Sequence, residues 1–370
     1  MTILQLANAY GPRTGGIRTE IDALRACYRA RGVRTVLVTP AERDSREPDD
    51  GGEIVRLRAP RLPINPDYRN LWHLAAVERL ADEVGPDAVE IYDKWTLPRL
   101  AARLRQRGLP VLGFSCERLD RVLTPYLGNS PLAAAAIRRY NRWFCAQFDA
   151  VVCHSRYAAA ELEAVGGRPL VVPLGVDLER FHPAARDEAL RADLLGAGDR
   201  LLLYVGRLVP EKRVDLLVGL MTRLAPRGWR LAIAGSGPLA PTLAAAPGVT
   251  VLGFERERLP ALYASCDGFV HPSPIEAFGL SVLEALASGA PVVGSAHGGV
   301  AELLPPWCPR SRACPAALAA AVEQAAALGR PAAARAVAER YPWAATAERV
   351  LALHGAVRQA APLACSAAAR

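Results

Sequence analysis

The residues best suited to chemistry fall in three turns, each following a short run rich in Val, Ile and Leu. Tyr204-Val205-Gly206-Arg207-Leu208-Val209-Pro210-Glu211-Lys212-Arg213 places a guanidinium and an ammonium five residues apart, just ahead of a helical stretch. Arg is a rigid planar fork and Lys a compact point charge, so the two can converge on one oxyanion carrying several charges, such as a diphosphate. A solvated charge pair is the plainer reading. Ser273-Pro274-Ile275-Glu276-Ala277-Phe278-Gly279-Leu280 runs into a helix that carries Glu284, eight residues after Glu276. The amides of Phe278, Gly279 and Leu280 lie between the two carboxylates at a helix start, where backbone N–H groups favour an anion. The carboxylates themselves are acceptors for hydroxyls, such as those of a sugar and a ribose; the alternative is two exposed helix-end glutamates. The third turn, Asn8-Ala9-Tyr10-Gly11-Pro12-Arg13-Thr14-Gly15-Gly16, enters a helix through paired glycines that let the backbone approach an anion closely. A tight turn explains it equally well, and it has no P-loop pattern.

A fourth turn imitates a different chemistry. Gly235-Ser236-Gly237-Pro238-Leu239-Ala240 matches the dinucleotide fingerprint, with Glu255 about where such a fold holds a ribose. It follows the second strand of its series, whereas the fingerprint belongs on the first, and Pro238 stiffens the intended helix start. Chemistry of the dehydrogenase type is therefore not expected.

These turns must be held by strands. Apolar runs occur at 3–7, 35–38, 88–91, 111–114, 150–153 and 170–172, and again at 201–205, 231–234, 250–252, 268–271 and 291–293, with amphipathic stretches between them. Buried strands alternating with helices indicate parallel α/β sheets, and two such series indicate two doubly wound domains. The expected organisation is an N-terminal domain over 1–172, a linker over 173–183, a second domain over 184–336, a last helical segment over 337–358 and an Ala-rich tail over 359–370. In open α/β sheets ligands bind beyond the carboxyl ends of the strands, so two such domains place the site in the cleft between them.

Composition narrows the class. The 370 residues are 51% hydrophobic and 22% charged, with net charge +8. This is a globular composition, and the surplus of Arg is too little interleaved with aromatics to point to nucleic acid. The cations include only two Lys, Lys94 and Lys212, which singles out both. No apolar run approaches the roughly 20 residues of a spanning helix. The chain opens directly on a strand-like run, so a cytoplasmic location is expected, with an anionic membrane surface left open as a partner. Eight Cys without a C-x-x-C pair suit free thiols, and neither a metal nor a cofactor is expected. In the N-terminal domain, Asp93 and Lys94 at the end of one strand and Cys116 at the end of another are candidates for acceptor contact, and the segment 138–144 mixes Arg with apolar residues as interfacial helices do.

Taken in order, Gly15-Gly16, Val172-Pro173-Leu174-Gly175-Val176-Asp177, Gly206-Arg207 with Lys212, Gly235-Ser236-Gly237-Pro238, and Glu276-x7-Glu284 with Gly289-Ala290-Pro291-Val292-Val293 resemble the retaining glycosyltransferases of family 4. That resemblance runs from about residue 2 to 355. It implies the GT-B fold, with two facing Rossmann-like domains and a C-terminal helix that returns to the first. The stretches 5–16 and 117–121 look like the actinobacterial GDP-mannose-dependent enzymes that act on phosphatidylinositol mannosides. The implied reaction moves a hexose from a GDP- or UDP-linked donor to an acceptor hydroxyl, on a lipid or a small molecule, with retained configuration and no metal. By position, Arg207 and Lys212 neutralise the donor diphosphate, which also meets the Gly15-Gly16 amides. Glu276 holds the sugar, Glu284 the ribose, and Phe254 and Glu255 the base. Where close relatives carry Ser-His-Glu-Arg-Leu-Asp this chain has Ser115-Cys116-Glu117-Arg118-Leu119-Asp120, so a ring contact to the donor sugar is replaced by a thiol. Two alternatives stand beside transfer: a nucleotide-sugar epimerase of the same fold, and a non-catalytic sugar-nucleotide-binding protein.

Overall fold

The computed structural model describes residues 1–12, 14–62, 65–128, 130–329 and 332–367. The chain divides into two compact units: Met1–Asp120, Asn129–Pro173 and Trp343–Arg370 form one, and Arg121–Gly128 with Leu174–Pro342 form the other. The short segment Arg121–Gly128, expected in the N-terminal domain, thus groups with the second unit.

The strands of the first unit are β1 (Thr2–Leu6), β2 (Arg34–Ala41), β3 (Ser45–Asp49), β4 (Gly52–Arg58), β5 (Arg61–Leu62), β6 (Asn65–Arg69), β7 (Ala88–Ile91), β8 (Val111–Ser115), β9 (Ala150–Cys153) and β10 (Leu170–Val171). Among the described residues, eight of them form a sheet in the order β10-β9-β8-β7-β1-β2-β4-β3, parallel except where β3 turns back along β4. β5 and β6 make a separate small hairpin. The central strands β1, β7 and β8 are almost wholly buried, which is why they read as continuous apolar runs. Ile21, Leu24 and Tyr28 of the helix Gly16–Arg29 pack on one face with Ala347 and Val350 of the helix Trp343–Ala367. His354 of that last helix is buried against Glu90 of β7, its Nε2 2.9 Å from Oε1. The helix continues to Ala367, past the expected start of a tail, as an Ala-rich stretch readily does.

The second unit carries β11 (Arg200–Val205), β12 (Trp229–Ala234), β13 (Val249–Gly253), β14 (Gly268–His271), β15 (Val292–Ser295) and β16 (Arg310–Ser311). They form an all-parallel sheet in the order β13-β12-β11-β14-β15-β16. Leu217, Leu220 and Met221 of the helix Asp215–Leu224, with Leu318 and Val322 of the helix Pro315–Ala327, cover one face around Trp229 and Ile233. The order reverses between β11 and β14. The loop after each of these neighbouring strands therefore opens at one topological switch point.

Candidate active site

The switch point of the second unit brings two of the three candidate turns together. After β11 the chain passes Gly206 and Arg207 into the single turn Pro210–Lys212; after β14 it passes Pro272 to Gly279 into the helix Leu280–Ala287. Lys212 Nζ lies 2.5 Å from Glu276 Oε2, and His271 Nε2, at the end of β14, lies 3.4 Å from the same oxygen. Burial alone would push the Glu276 carboxyl up, but the Lys212 ammonium and the His271 ring outweigh it and hold the group well below the usual carboxylate range. Arg207 is half-exposed, with Nη2 3.5 Å from Glu211 Oε1, and its carbonyl accepts from the Tyr204 hydroxyl at 3.1 Å. Ser273 Oγ donates to the Glu211 carbonyl at 3.1 Å, tying one loop to the other.

The glycines of this region are fixed by contact. Gly279 caps the helix Leu280–Ala287 at φ 103°, and a Cβ there would meet Val300 Cγ2 at 2.8 Å. Gly299 donates its N–H to the Glu276 carbonyl at 2.7 Å, and a Cβ on it would sit 2.1 Å from the Ala277 carbonyl oxygen. The loop carrying Glu276, Phe278 and Gly279 is thereby clamped from behind, and the amides at the start of the helix have no intrahelical acceptor. Glu284, in the second turn of that helix, accepts from the Tyr263 hydroxyl at 2.8 Å. Burial raises its carboxyl to about 7 against the opposing pull of Tyr263, Arg180 and Arg256. Phe254 is exposed just beyond β13, and Glu255 pairs with Arg258.

The dinucleotide look-alike has a packing explanation. A Cβ on Gly235 would fall 1.9 Å from the Gly206 carbonyl oxygen, and one on Gly237 would fall 2.4 Å from that of Leu208. Leu208 donates its N–H to the Ser236 carbonyl at 2.9 Å. These glycines thus let the loop after β12 lie directly against the turn that presents Arg207.

In the first unit, Gly15 and Gly16 are exposed at the start of the helix Gly16–Arg29, which has no acidic residue in its first turn and no side-chain cap. Asp93 and Lys94, the candidates for acceptor contact, are both engaged within the first unit. Asp93 is buried, and its Oδ2 accepts from the N–H groups of Thr96 and Leu97 at 2.8 and 2.9 Å. Lys94 is buried too, donating to the Glu117 carbonyl at 2.7 Å and pairing with Glu161 at 3.1 Å. Both side chains are occupied in holding their own loop. Cys116 lies 3.8 Å from both Glu20 Oε2 and His154 Nε2. His154 is turned inward, its Nδ1 3.0 Å from the Val172 carbonyl, and Ser155 Oγ caps the next helix by accepting from the Ala158 N–H at 3.0 Å.

Sequence reasoning gave His271 and Tyr263 no role. The signal for His271 was its place at the end of the strand feeding the Glu276 loop; Tyr263 carried none, since its contact depends on how two helices pack.

Residues 15–175 match the family model of a glycosyl transferase 4-like domain and residues 199–328 that of glycosyl transferases group 1. The chain is 36% identical over 316 residues to the GDP-mannose-dependent alpha-(1-6)-phosphatidylinositol dimannoside mannosyltransferase of Mycobacterium tuberculosis, covering 82% of each. It is 29% identical over 317 residues to a GDP-mannose-dependent alpha-mannosyltransferase of Corynebacterium glutamicum, covering 82% of this chain and 74% of the relative. Among solved structures, sucrose-phosphate synthase of Thermosynechococcus elongatus superposes with TM-score 0.81 at 21% identity, over 97% of this chain and 99% of that one. Anabaena HepE in complex with UDP and glucose gives 0.73 at 20% identity, over 95% and 98%. Two parallel Rossmann-like sheets and these matches lead to one conclusion: the chain belongs to the family 4 retaining glycosyltransferases of GT-B fold, enzymes that move a sugar from a nucleotide sugar to an acceptor.

Proposed function

We propose that this glycosyltransferase takes mannose from GDP-mannose and joins it, with retained configuration, to a hydroxyl of a lipid-borne acceptor. The choice of sugar and base is supported by the 36% identity to an enzyme named for GDP-mannose and phosphatidylinositol dimannoside. The observation that carries the donor site is the Lys212–Glu276 pair at the switch point of the second sheet. There Lys212 and Arg207 neutralise the diphosphate as charge moves onto it, Glu276 holds sugar hydroxyls, and the amides from Phe278 to Leu280 add fixed dipoles. Glu284 takes the ribose, and the base lies against Phe254 and Glu255. Gly15 and Gly16 offer an amide end of the same kind in the first unit. His271 positions Glu276.

A panel of nucleotide sugars tests this by thermal shift and by transfer. A ligand at 100 times its dissociation constant adds about 2.7 kcal/mol of stability. GDP-mannose and GDP are expected to raise the melting temperature most, and GDP release is expected only with an acceptor present. Release of free nucleotide or epimerised sugar without an acceptor would favour the epimerase reading; no shift with any nucleotide sugar or nucleoside diphosphate would overturn the site.

Cys116 supports a second reading, a donor sugar other than mannose, because a thiol is a poor substitute for a ring hydrogen bond. A Cys116→His variant that leaves the preference among donor sugars unchanged would sink it.

The helix Pro131–Gln147 supports peripheral contact with an anionic membrane. Leu132 is 83% exposed in its first turn, and Arg138, Arg139 and Arg142 are exposed along it, the mixture of apolar and basic groups that interfacial helices use. Co-sedimentation with vesicles that increases with anionic lipid content is expected, and equal binding to neutral and anionic vesicles would refute it. No helix among the described residues is long and apolar enough to cross a membrane.

A further inference from the structure

Three side chains of the first unit, two of them unused by transfer chemistry, converge at its sheet ends. Glu20 stands on the helix Gly16–Arg29, Cys116 directly follows β8, and His154 directly follows β9. His154 Nε2 lies 3.3 Å from Glu20 Oε1, while Cys116 Sγ lies 3.8 Å from Glu20 Oε2 and 3.8 Å from His154 Nε2. We propose that this cluster binds a thiophilic divalent cation, zinc first among them.

The three residues can supply three corners of a small tetrahedron. With metal–sulfur bonds of about 2.3 Å and metal–nitrogen or metal–oxygen bonds of about 2.0–2.2 Å, ligand atoms stand about 3.3–3.6 Å apart. Here one ligand atom from each residue lies within 4.8 Å of the others, and the 3.3 and 3.8 Å contacts fall on opposite oxygens of Glu20, so turning its carboxylate brings one oxygen into the set. Orientation agrees as well. His154 Nδ1 lies 3.0 Å from the Val172 carbonyl, which accepts its proton and leaves Nε2 as the ligand nitrogen, the usual outer support of a metal-bound imidazole. Glu20 is 1% exposed, and its Oε1 faces His154 Nε2 at 3.3 Å without a hydrogen bond of good geometry among the described residues, so an ion between the two would satisfy a buried carboxylate oxygen. Cys116 is only partly buried and gives the ion a way in. Lys94, whose charge acts on the thiol, is already paired with Glu161 at 3.1 Å.

One thiolate, one imidazole and one carboxylate form a donor set that suits zinc and disfavours magnesium or calcium. Binding replaces the proton on Sγ, and the proton on Nε2 where the ring carries one, releasing both to solvent with no redox change. A fourth position stays open for water. The ion would tie the helix Gly16–Arg29 to the ends of β8 and β9, bracing three elements that carry loops at the same edge of the sheet.

Cobalt(II) is the spectroscopic probe. One equivalent added to chelator-treated protein is expected to give a thiolate-to-cobalt charge-transfer band and visible bands of tetrahedral intensity, which zinc then abolishes. Cys116→Ser should lose the charge-transfer band, and His154→Gln should bind at least about 10-fold more weakly. Cys314→Ser, which alters an exposed thiol, should keep the spectrum. In unmodified protein, one equivalent of zinc should protect Cys116 selectively from alkylation, read by mass spectrometry of the peptides. No band at one equivalent, a band that survives Cys116→Ser, or protection that falls on another cysteine would each overturn the site.

Discussion

Lys212 Nζ and Glu276 Oε2 lie 2.5 Å apart, although 64 residues separate them in the chain. The contact follows from the strand order, since β11 and β14 are neighbours and each releases its loop at the same edge of the sheet. An anionic donor arriving there meets an ammonium already oriented by a carboxylate. Glu276 itself stays ionised throughout the physiological range because Lys212 and His271 outweigh its burial.

Lys212→Ala should therefore reduce turnover by a factor of about 100 or more, the loss typical when one fixed stabiliser of developing charge is removed. The far-ultraviolet circular dichroism should stay that of the parent, because both partners lie at the sheet edge, outside the core. The melting temperature should fall by a few degrees as Glu276 loses its counter-charge. Steady-state rates with a saturating donor check this, and a fully active variant would overturn the assignment.

Glu284 gives a prediction on pH. Its carboxyl titrates near 7 in the folded protein, above the ordinary value, so the native state holds this proton more tightly than the unfolded chain does. Its contribution is fully present at pH 4 and is lost as pH rises through 7. Glu284→Gln cannot ionise, so it should match the parent near pH 4 and be more stable at pH 8 by roughly 1–3 kcal/mol. Thermal melts of both proteins at the two pH values decide it; equal differences at both would refute it. In the parent, nucleotide affinity should rise with pH across the same range if the carboxylate takes the ribose.

Much of this was readable from the residues. The apolar runs that became β1, β7, β8, β11, β12, β14 and β15 are central and buried on both faces, so hydrophobicity alone marks them. β3, β4 and the hairpin β5–β6 were not legible: Ser45–Asp49 is polar and exposed, and Gly52–Arg58 mixes charge with apolar residues because it lies beside the antiparallel edge strand. The Arg207, Lys212 and Glu276 motifs announced themselves by residue type, but their pairing depended on strand order. Asp93 and Lys94 looked functional for the same reason, a charged pair at a strand end, and burial gave them a structural role that residue type cannot distinguish.

That role can be separated from catalysis. Asp93→Ala removes the acceptor of two buried N–H groups and should cost about 1–3 kcal/mol. Lys94→Met should cost more, about 3–5 kcal/mol, because it strands the buried Glu161 carboxylate, and the double change Lys94→Met with Glu161→Gln should recover part of the loss. Neither single change should alter the acceptor KM measured below its melting range. A raised acceptor KM with unchanged stability would return these residues to acceptor binding. Denaturant unfolding read beside initial rates gives both quantities.

The last helix supplies the remaining test. Glu90 accepts from Gln5 Nε2 and from the hydroxyls of Tyr28 and Tyr92, each at 2.8 Å, and His354 of the helix Trp343–Ala367 closes this buried group. Burial alone would raise the Glu90 carboxyl, but the His354 ring, with Gln5 and Tyr28, outweighs it and holds the group below its ordinary value. The resulting stability is present above the unfolded carboxylate range and is lost as pH falls through the lowered value. His354→Ala leaves Glu90 with only the Gln5, Tyr28 and Tyr92 donors among these contacts, and it removes a buried anchor of the helix. We expect a loss of about 3 kcal/mol and new protease cleavage between residues 343 and 360, while the strands of the second unit remain protected. His297→Ala, which changes an exposed histidine, should do neither. If His354→Ala is cleaved no faster than the parent, the anchor is the apolar face of Ala347 and Val350 rather than the buried polar group.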